Sequence, residues 1–353
     1  MKLSDHGWNE HWQNLFAPYA AEGMVAARVT AEHKNSYRVS TGDVELQGEV
    51  SGRLRHHAIR RSDSPAVGDF VALRRSETDS LAIIDAVLPR RTVFIRKAAG
   101  KGLDDQVVAA NIDAVFIMTA LDQDFNLRRL ERYVTLVWEG GAQPVILLNK
   151  ADVCDDRAPF LDDVNEIKFG VPVHVLSALT SEGLEALNQY LRPGFTVGFV
   201  GSSGVGKSTL LNTLLGREAQ TTREVREDDH RGRHTTTHRQ LFVRAEGGII
   251  IDTPGMRELQ LGNVHEGVQR TFSDIERLAM ECRFSDCQHK NEPGCAVRAA
   301  VDRGELSAER LFSYDKLLKE MRHANLQFDE DAAREKKRQD RVANKAMKPF
   351  KTR

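Results

Sequence analysis

Cysteines and long apolar runs are both scarce in this chain of 353 residues. It has four cysteines, too few for a disulfide framework, and three of them lie within fourteen residues near the C-terminus, which favours a metal site. No stretch approaches the roughly 18 consecutive apolar residues that a membrane helix needs. The first twenty residues include Asp5, His6, Glu10 and His11, unlike the apolar core of a signal peptide. We therefore expect a cytoplasmic protein without a membrane partner.

The chain also has almost no net charge, -1 at pH 7, but the charge is unevenly distributed. Residues 333–353 contain nine Lys or Arg and only two acidic residues, so the rest of the chain is acidic. A basic tail on an acidic body can bind the phosphate backbone of a nucleic acid, or it can simply be solvated. A second basic segment, residues 53–61, leaves the same two alternatives open.

Three regions differ in the spacing of their apolar residues. Up to residue 89, short alternating segments are separated by turns, which is typical of a small β-barrel, and we predict a five-stranded oligonucleotide-binding (OB) type. Residues 111–262 alternate apolar strands with amphipathic helices, an α/β doubly wound pattern, and the remainder is expected to be helical. The predicted divisions are an N-terminal extension 1–21, a barrel 22–95, an α/β domain 96–263, a helical domain 264–332 and a tail 333–353.

The N-terminal extension contains Trp8, Trp12 and Phe16 at spacings of four residues. We expect an amphipathic helix that packs on the barrel rather than on a partner.

The string GSSGVGKS, residues 201–208, follows the apolar strand FTVGFV and precedes a helical stretch. That context is typical of a phosphate loop, whose backbone N–H groups surround the phosphates of a nucleoside triphosphate. Lys207 would lie between the β- and γ-phosphates and Ser208 would hold Mg²⁺, and the alternative is a tight glycine turn without a ligand. The predicted contacts are Gly201, Ser202, Ser203, Gly204, Val205, Gly206, Lys207, Ser208 and Thr209.

The string NKAD, residues 149–152, follows the strand PVILL and would select the base. Asp152 can accept both donors on the Watson–Crick edge of guanine, whereas adenine would leave that carboxylate unpaired. Asn149 would tie this loop to the phosphate loop, and the stem of Lys150 would cover the base ring. Taken alone, an N-K-x-D string is weak support for a guanine site.

The string SAL, residues 177–179, ends the next strand and strengthens that assignment. Backbone N–H groups of Ser177 and Ala178 could meet the guanine O6 there. The two strings together predict a guanine nucleotide.

The string DTPG, residues 252–255, ends the strand GIII and supplies Asp252 and Gly255. It matches the element that holds Mg²⁺ through a water molecule and senses the γ-phosphate. Between it and the phosphate loop lies GRHTTTH, residues 232–238, in which Thr236 would close on Mg²⁺; the alternative is a Ser/Thr-rich loop without a ligand. The predicted magnesium ligands are therefore Ser208, Thr236 and Asp252.

These elements occur in an unusual order, because an ordinary GTPase begins with its phosphate loop and this chain begins with its base-selecting strings. A circular permutation explains the order, since a parallel sheet needs its strands adjacent in space and is indifferent to where the chain is cut. The second switch then runs directly into the C-terminal region, which could receive the state of the γ-phosphate.

The C-terminal cluster has the spacing C-x4-C-x-H-x5-C and consists of Cys282, Cys287, His289 and Cys295. Three thiolates and one imidazole suit a structural, tetrahedral Zn²⁺ with no place for a catalytic water. A redox pair of thiols is the alternative, and it leaves His289 and the third cysteine unexplained. Cys154 is expected to be a free thiol.

The permuted order, GRHTTTH, the cysteine and histidine cluster, AVGDFV in the barrel and QVVAANID at 106–113 together resemble the RsgA/YjeQ family of ribosome small subunit-dependent GTPases. The resemblance covers residues 24–318. It implies a multidomain protein with an N-terminal OB-type β-barrel, a circularly permuted α/β P-loop GTPase domain and an α-helical C-terminal zinc-binding domain. It also implies a monomer that binds the small ribosomal subunit and its rRNA during late maturation, and that hydrolyses GTP to GDP and phosphate with stimulation by the subunit. The implied cofactors are one structural Zn²⁺ and Mg²⁺ with GTP.

Met256 occupies the position at which many GTPases have a water-orienting glutamine. A thioether cannot orient a nucleophilic water, so we expect slow intrinsic hydrolysis. The resemblance implies that His234, beside Thr236, supplies the missing polar group; the alternative is that His234 is only a loop residue or an rRNA contact.

Two other classes of protein stay open. A translation or signalling GTPase that never meets rRNA would have no reason for the barrel and the basic tail. A zinc-dependent nucleic-acid-binding module with an inactive nucleotide site is the other class, and the intact Lys207, Ser208 and Asp252 argue against it.

Overall fold

The computed structural model describes residues 1–33, 36–58, 61–75, 81–97, 105–167, 170–216, 239–252, 266–323 and 326. Four residues that the sequence assigns to the switches, His234, Thr236, Gly255 and Met256, lie outside these ranges, as does the predicted tail 333–353.

The first five strands close into a barrel in the order β1-β2-β3-β5-β4-β1. They are β1 (Val25–Glu32), β2 (Tyr37–Ser40), β3 (Glu45–Val50), β4 (Phe70–Arg75) and β5 (Leu81–Val87). Strand β3 shows why this region forms a barrel: Leu46 and Gly48 point into it while Glu45, Gln47 and Glu49 point outwards. Helix α2 (Gly52–His57) lies between β3 and β4 in the chain. The OB-type barrel that the sequence predicts is thus confirmed.

The N-terminal segment packs on this barrel, as predicted. It consists of a 3₁₀ helix (Leu3–His6) and helix α1 (Glu10–Ala21), so Trp12 and Phe16 lie on the predicted helix, whereas Trp8 precedes it. Trp12 is buried against Phe70 of the barrel, with ring centroids 4.5 Å apart, and the Trp8 ring lies 5.3 Å from the same phenylalanine. These aromatic contacts bury a large apolar area and fix the segment to β4.

A second group of strands forms a mainly parallel sheet in the order β10-β9-β8-β11-β13-β12, in which only β12 is antiparallel to its neighbour. The strands are β8 (Ala114–Ala120), β9 (Gln143–Asn149), β10 (Val173–Val175), β11 (Thr196–Gly201), β12 (Gln240–Val243) and β13 (Ile249–Asp252). β8 is buried on both faces, which is why its sequence is continuously apolar. The strand that leads into the phosphate loop, β11, comes after β8 and β9 in the chain but lies beside β8 in the sheet. The structure therefore shows the permuted connectivity directly.

Helices cover both faces of this sheet. They are α3 (Leu127–Glu139), α4 (Ala158–Ile167), a 3₁₀ helix (Leu184–Tyr190) and α5 (Lys207–Leu215). Helix α3 begins after Asn126, whose side chain accepts a hydrogen bond from the N–H of Arg129 at 2.8 Å. Leu130, Val134 and Val137 recur at helical spacing on α3 and belong to the same core as Val115 and Ile117 of β8. Phe116 and Met118 of β8 face the opposite core.

Two connections join the barrel to the parallel sheet. A hairpin of β6 (Val93–Lys97) and β7 (Asp105–Ala110) lies between them in the chain, and Ala31 of β1 pairs with Gln240 of β12. The limit predicted between the barrel and the α/β domain, after residue 95, falls inside β6. The domain limits remain predictions.

The residues described from 266 to 323 form helices and contain no strand, as the sequence predicts. These helices are α6 (Glu266–Thr271), α7 (Ser273–Ala279), α8 (Ala296–Asp302) and α9 (residues 308–323). Arg310 of α9 is buried and donates to both carboxylate oxygens of Asp274, each at 2.7 Å, and to Glu131 of α3 at 2.8 Å. The helical region is therefore docked on α3 by paired buried charges. Among the described helices, we find none with the length and apolar character to cross a membrane.

Candidate nucleotide and metal sites

The phosphate loop connects the end of β11 to the start of α5. A Cβ atom at Gly201 would lie 2.4 Å from the Met118 carbonyl oxygen, and one at Gly206, where φ is 98°, would lie 2.3 Å from Asn149 Nδ2. Both positions require glycine because the loop is pressed against neighbouring backbone and against the NKAD loop. The arrangement leaves the N–H groups at the start of α5 at the carboxyl edge of the sheet, where anions bind.

Lys207 is half-buried at the first position of α5. Its ammonium donates to the carbonyl oxygen of Gly201 at 2.8 Å and to that of Ser202. The positive charge therefore lies inside the curve of the loop, as a phosphate-binding lysine requires. Of the other predicted contacts, Ser203 and Gly204 are exposed at the tip, Val205 is buried, and Ser208 and Thr209 are half-buried in the first turn of α5.

Asn149 brings three of the predicted motifs together. It is only 2% exposed, its Nδ2 donates to the Val205 carbonyl oxygen at 2.8 Å, and its Oδ1 accepts from the N–H of Ala178 at 2.9 Å. One buried amide thus joins NKAD to the phosphate loop and to SAL, which are 56 and 29 residues away in the chain. Buried amides of this kind hold loops in one arrangement because breaking either bond leaves a buried polar atom unpaired.

The SAL loop differs in detail from the expectation. The N–H of Ser177 donates to the Glu182 carbonyl oxygen at 2.9 Å, and that of Ala178 donates to Asn149. A contact to guanine O6 would therefore require the Ala178 N–H to be shared with Asn149. The buried Ser177 hydroxyl accepts from the N–H of Thr180 at 3.1 Å and shapes the turn.

Lys150 and Asp152 lie at the open side of the NKAD loop. Lys150 has a left-handed backbone with φ of 65°, and its ammonium donates to Asp122 Oδ2 at 2.8 Å. Asp152 is exposed in a 3₁₀ turn (Ala151–Val153), so its carboxylate can reach a base. Partial burial raises the pKa of Asp122, but hydrogen bonds from Lys150 and from the N–H of Asp124 outweigh it and hold that pKa below its ordinary value.

Sequence reasoning missed two carboxylates in this site, Asp122 and Asp124. Asp124 accepts a hydrogen bond from the Ser202 hydroxyl of the phosphate loop and from Arg129 at 2.8 Å. Both carboxylates follow the end of β8, which lies between β9 and β11 in the sheet. Their position after a buried parallel strand was the available signal, because the carboxyl ends of adjacent strands share one edge.

Asp252 ends β13, is half-buried, and lies at the same edge because β13 pairs with β11 in parallel. The structure therefore collects the phosphate loop, NKAD, SAL and Asp252 at one edge of the sheet, where Mg²⁺ and a nucleotide would bind together. Ser208 and Asp252 are oxygen donors of the kind that Mg²⁺ prefers.

The cysteine and histidine cluster lies between α7 and α8. The candidate ligand atoms of Cys282, Cys287, His289 and Cys295 all lie within 4.8 Å of one another, and Cys282 Sγ is 3.7 Å from His289 Nδ1. Donors of a tetrahedral zinc site lie about 3.7 Å apart when each bond is about 2.3 Å, so the spacing fits a metal. Burial raises the pKa of Cys282, but the N–H groups of Val297 and Ala296 lower it further than burial raises it, whereas burial and the neighbouring thiols raise the pKa of Cys287 to about 11. Of these two thiols, Cys282 therefore ionises more readily.

Cys154 is separate from this cluster, and its thiol donates to the Asp156 carbonyl oxygen at 3.2 Å. It has no disulfide partner, as the sequence predicts.

Comparison with known proteins agrees with this architecture. The sequence model of the RsgA GTPase family matches residues 87–262. A protein of Methanosarcina acetivorans named small ribosomal subunit biogenesis GTPase RsgA is 48% identical over 317 residues, which cover 89% of this chain and 84% of that protein. A protein of Opitutus terrae with the same name is 46% identical, covering 95% and 94% of the two chains.

Solved structures show the same fold. The crystal structure of YjeQ from Thermotoga maritima superposes with a TM-score of 0.62 at 27% identity, covering 84% of this chain and 98% of that one. The structure of YloQ, a circularly permuted GTPase, gives a TM-score of 0.61 and covers 85% and 96%; at 22% identity this likeness supports the fold alone. The geometry of the site, the sequence identity and the shared fold lead to one conclusion. The chain is a GTP hydrolase and belongs to the RsgA family of circularly permuted GTPases.

Proposed function

We propose that this GTPase binds the small ribosomal subunit and acts in its late maturation, hydrolysing GTP to GDP and phosphate with stimulation by the subunit. The observation that carries the proposal is the convergence of NKAD, SAL and the phosphate loop on Asn149 in a chain that also has an OB-type barrel. The names of its relatives, at 46–48% identity over most of the chain, support the ribosomal partner. Because small subunits mature in the cytoplasm, we propose that the protein works there, as a monomer.

In this proposal each element of the nucleotide site has one task. Asp152 selects guanine, the stem of Lys150 covers the base, and Lys207 with the loop N–H groups stabilises negative charge on the β- and γ-phosphates. Ser208, Asp252 and Thr236 would hold Mg²⁺, which when bound neutralises phosphate charge. Gly255 would sense the γ-phosphate.

Hydrolysis also needs a group that orients the attacking water, and Met256 cannot supply it. We assign this role to His234, with Thr236 beside it, because an imidazole can accept a proton from water near neutral pH. Subunit binding would then order this segment and accelerate hydrolysis.

We propose that the metal in the C-terminal cluster is one structural Zn²⁺. Three sulfur donors and one nitrogen donor complete a tetrahedral set without a water position. When bound, the ion would crosslink the loop between α7 and α8, since Cys282 lies near its start and Cys295 at its end.

Contact with rRNA is proposed at the barrel and the basic tail. Arg53 and Arg55 of α2 are exposed, while Leu54 between them packs against the barrel core. This places positive charge on the outside of the barrel, where a phosphate backbone can reach it.

The deciding experiment measures GTP turnover by the purified protein alone, with small subunits and with large subunits. The proposal expects slow turnover alone and a clear increase only with small subunits. Equal rates in all three samples would favour a translation or signalling GTPase. Absence of guanine nucleotide binding in a calorimetric titration would instead favour a nucleic-acid-binding module with an inactive nucleotide site.

A further inference from the structure

The loop of residues 121–126 connects β8 to α3 and contacts both NKAD, at Lys150, and the phosphate loop, at Ser202. It begins where the Leu121 N–H donates to the Asn149 carbonyl oxygen at 2.9 Å. It ends where Asn126 caps α3, so both ends of the loop are fixed. The positions of the side chains on this short loop are therefore fixed relative to NKAD.

Asp122 uses both oxygens of its carboxylate. Oδ2 accepts from Lys150 Nζ at 2.8 Å, and Oδ1 accepts from the N–H of Asp124 at 2.9 Å. The second bond fixes the carboxylate, so the first one fixes the ammonium of Lys150. A lysine side chain has four rotatable bonds, and its stem can cover a base ring only if the ammonium is held.

Asp124 makes the matching contact to the phosphate loop. Its Oδ2 accepts from the Ser202 hydroxyl and from Arg129 Nη2 at 2.8 Å. Arg129 also donates to the Asp124 carbonyl oxygen, so the residue is held through its side chain and its backbone. The carboxylate is thereby neutralised by an arginine on α3 before it meets the loop.

These contacts link NKAD to the phosphate loop at the surface of the site, in addition to the buried link made by Asn149. Two carboxylates beside a triphosphate would repel it, yet each is paired with a cation, Lys150 or Arg129. The hydrogen bonds that both carboxylates make to protein groups give them a role in orienting the groups that they contact.

We propose that Asp122 and Asp124 are positioning residues for the guanine nucleotide: Asp122 orients Lys150 over the base, and Asp124 holds the phosphate loop through Ser202. This inference rests on the proposed nucleotide roles of Lys150 and the phosphate loop. Both residues affect nucleotide binding and not the hydrolysis step, so their loss weakens binding of GDP and of GTP alike.

A double-mutant cycle tests the first half. Affinity for GDP is measured by calorimetry for the wild type, Asp122→Asn, Lys150→Met and the double variant. Asp122→Asn is expected to weaken GDP binding about 1.4-fold to fivefold, the range for an exposed ion pair. In the Lys150→Met background it should have no further effect, because Asp122 acts through that ammonium. The control is Asp163→Asn, which replaces an exposed carboxylate on α4 and should leave the affinity for GDP unchanged.

The same cycle with Asp124→Asn and Ser202→Ala tests the second half, with steady-state kinetics added. KM for GTP should rise while kcat at saturating GTP stays unchanged, which a general loss of folding would not produce. Tighter GDP binding by Asp122→Asn would show that the carboxylate only repels the nucleotide, and additive effects in both cycles would show that neither acts through its partner. Either result overturns this inference while leaving the proposed function intact. A wild-type protein that fails to bind GDP overturns both.

Discussion

Replacing Arg28 by methionine should loosen the junction between the barrel, the N-terminal segment and the GTPase sheet. Arg28 is 1% exposed, and its guanidinium donates to acceptors in four separate segments. The acceptors are the carbonyl oxygens of His6 at 2.6 Å, Gly68 at 3.1 Å and Asn111 at 3.1 Å, and Thr196 Oγ1 at 3.1 Å. Thr196 begins β11, the strand that ends in the phosphate loop.

The magnitude follows from two opposing contributions. Four hydrogen bonds from a charged donor stabilise the fold by about 6 kcal/mol at the lower end of their range. Burial of the Arg28 guanidinium lowers its pKa to about 10. This lowering of the pKa corresponds to a cost of about 3 kcal/mol for keeping the buried cation charged. Arg28→Met should therefore lower the free energy of unfolding by about 3 kcal/mol.

Urea unfolding followed by tryptophan fluorescence measures this loss, because Trp8 and Trp12 lie against Phe70 and Arg28 itself stacks 4.9 Å from that ring. With a urea m-value of about 2 kcal/mol/M, the midpoint should fall by about 1.5 M. Arg38→Met is the matched control: Arg38 lies on the same barrel, it and its partner Glu45 are 47% and 50% exposed, and its loss should change stability by less than about 0.5 kcal/mol. If Arg28→Met and Arg38→Met unfold at the same urea concentration, the buried contacts of Arg28 do not stabilise the junction and the reasoning is wrong.

Four other outcomes are expected. Asp152→Asn should weaken GTP binding and shift preference towards xanthosine nucleotides, because the amide offers a donor where guanine needs an acceptor; unchanged GTP affinity in a calorimetric titration would contradict the base assignment. Cys287→Ser should release about one Zn²⁺, measured by elemental analysis, and loosen the C-terminal helices while GTP still binds; a metal-free wild type with those helices folded would refute the site. His234→Ala should cut subunit-stimulated turnover by about 10²- to 10⁴-fold with little change in GTP affinity, and undiminished stimulated turnover would remove His234 from the mechanism. Burial and Arg28 lower the pKa of His6 to about 4, so its neutral form favours folding; about 3 kcal/mol should be lost as the pH falls from 6.5 to 4, and His6→Leu should unfold with a weaker pH dependence than wild type over that window.

Much of the nucleotide site could be predicted from the sequence because its motifs are local. Gly201 and Gly206 have φ of 155° and 98° within one loop, a local conformation that favours glycine, and the apolar runs before NKAD and DTPG predict buried parallel strands. The cysteine and histidine spacing likewise predicted a cluster that the structure brings within 4.8 Å.

Arg28 and Asp122 show what the sequence by itself could not determine. In β1 the alternation of Ala27, Arg28 and Val29 indicates only that Arg28 points away from the barrel core, a direction that would ordinarily be solvent. Arg28 is buried because the N-terminal segment and the GTPase sheet cover that outer face. Asp122 meets Lys150 across 28 residues because β8 and β9 are neighbours in the sheet. Periodicity and motif spacing indicate which residues of a segment are buried and which are exposed or bind a ligand. Which other segment covers them is decided by packing between elements that are far apart in the chain.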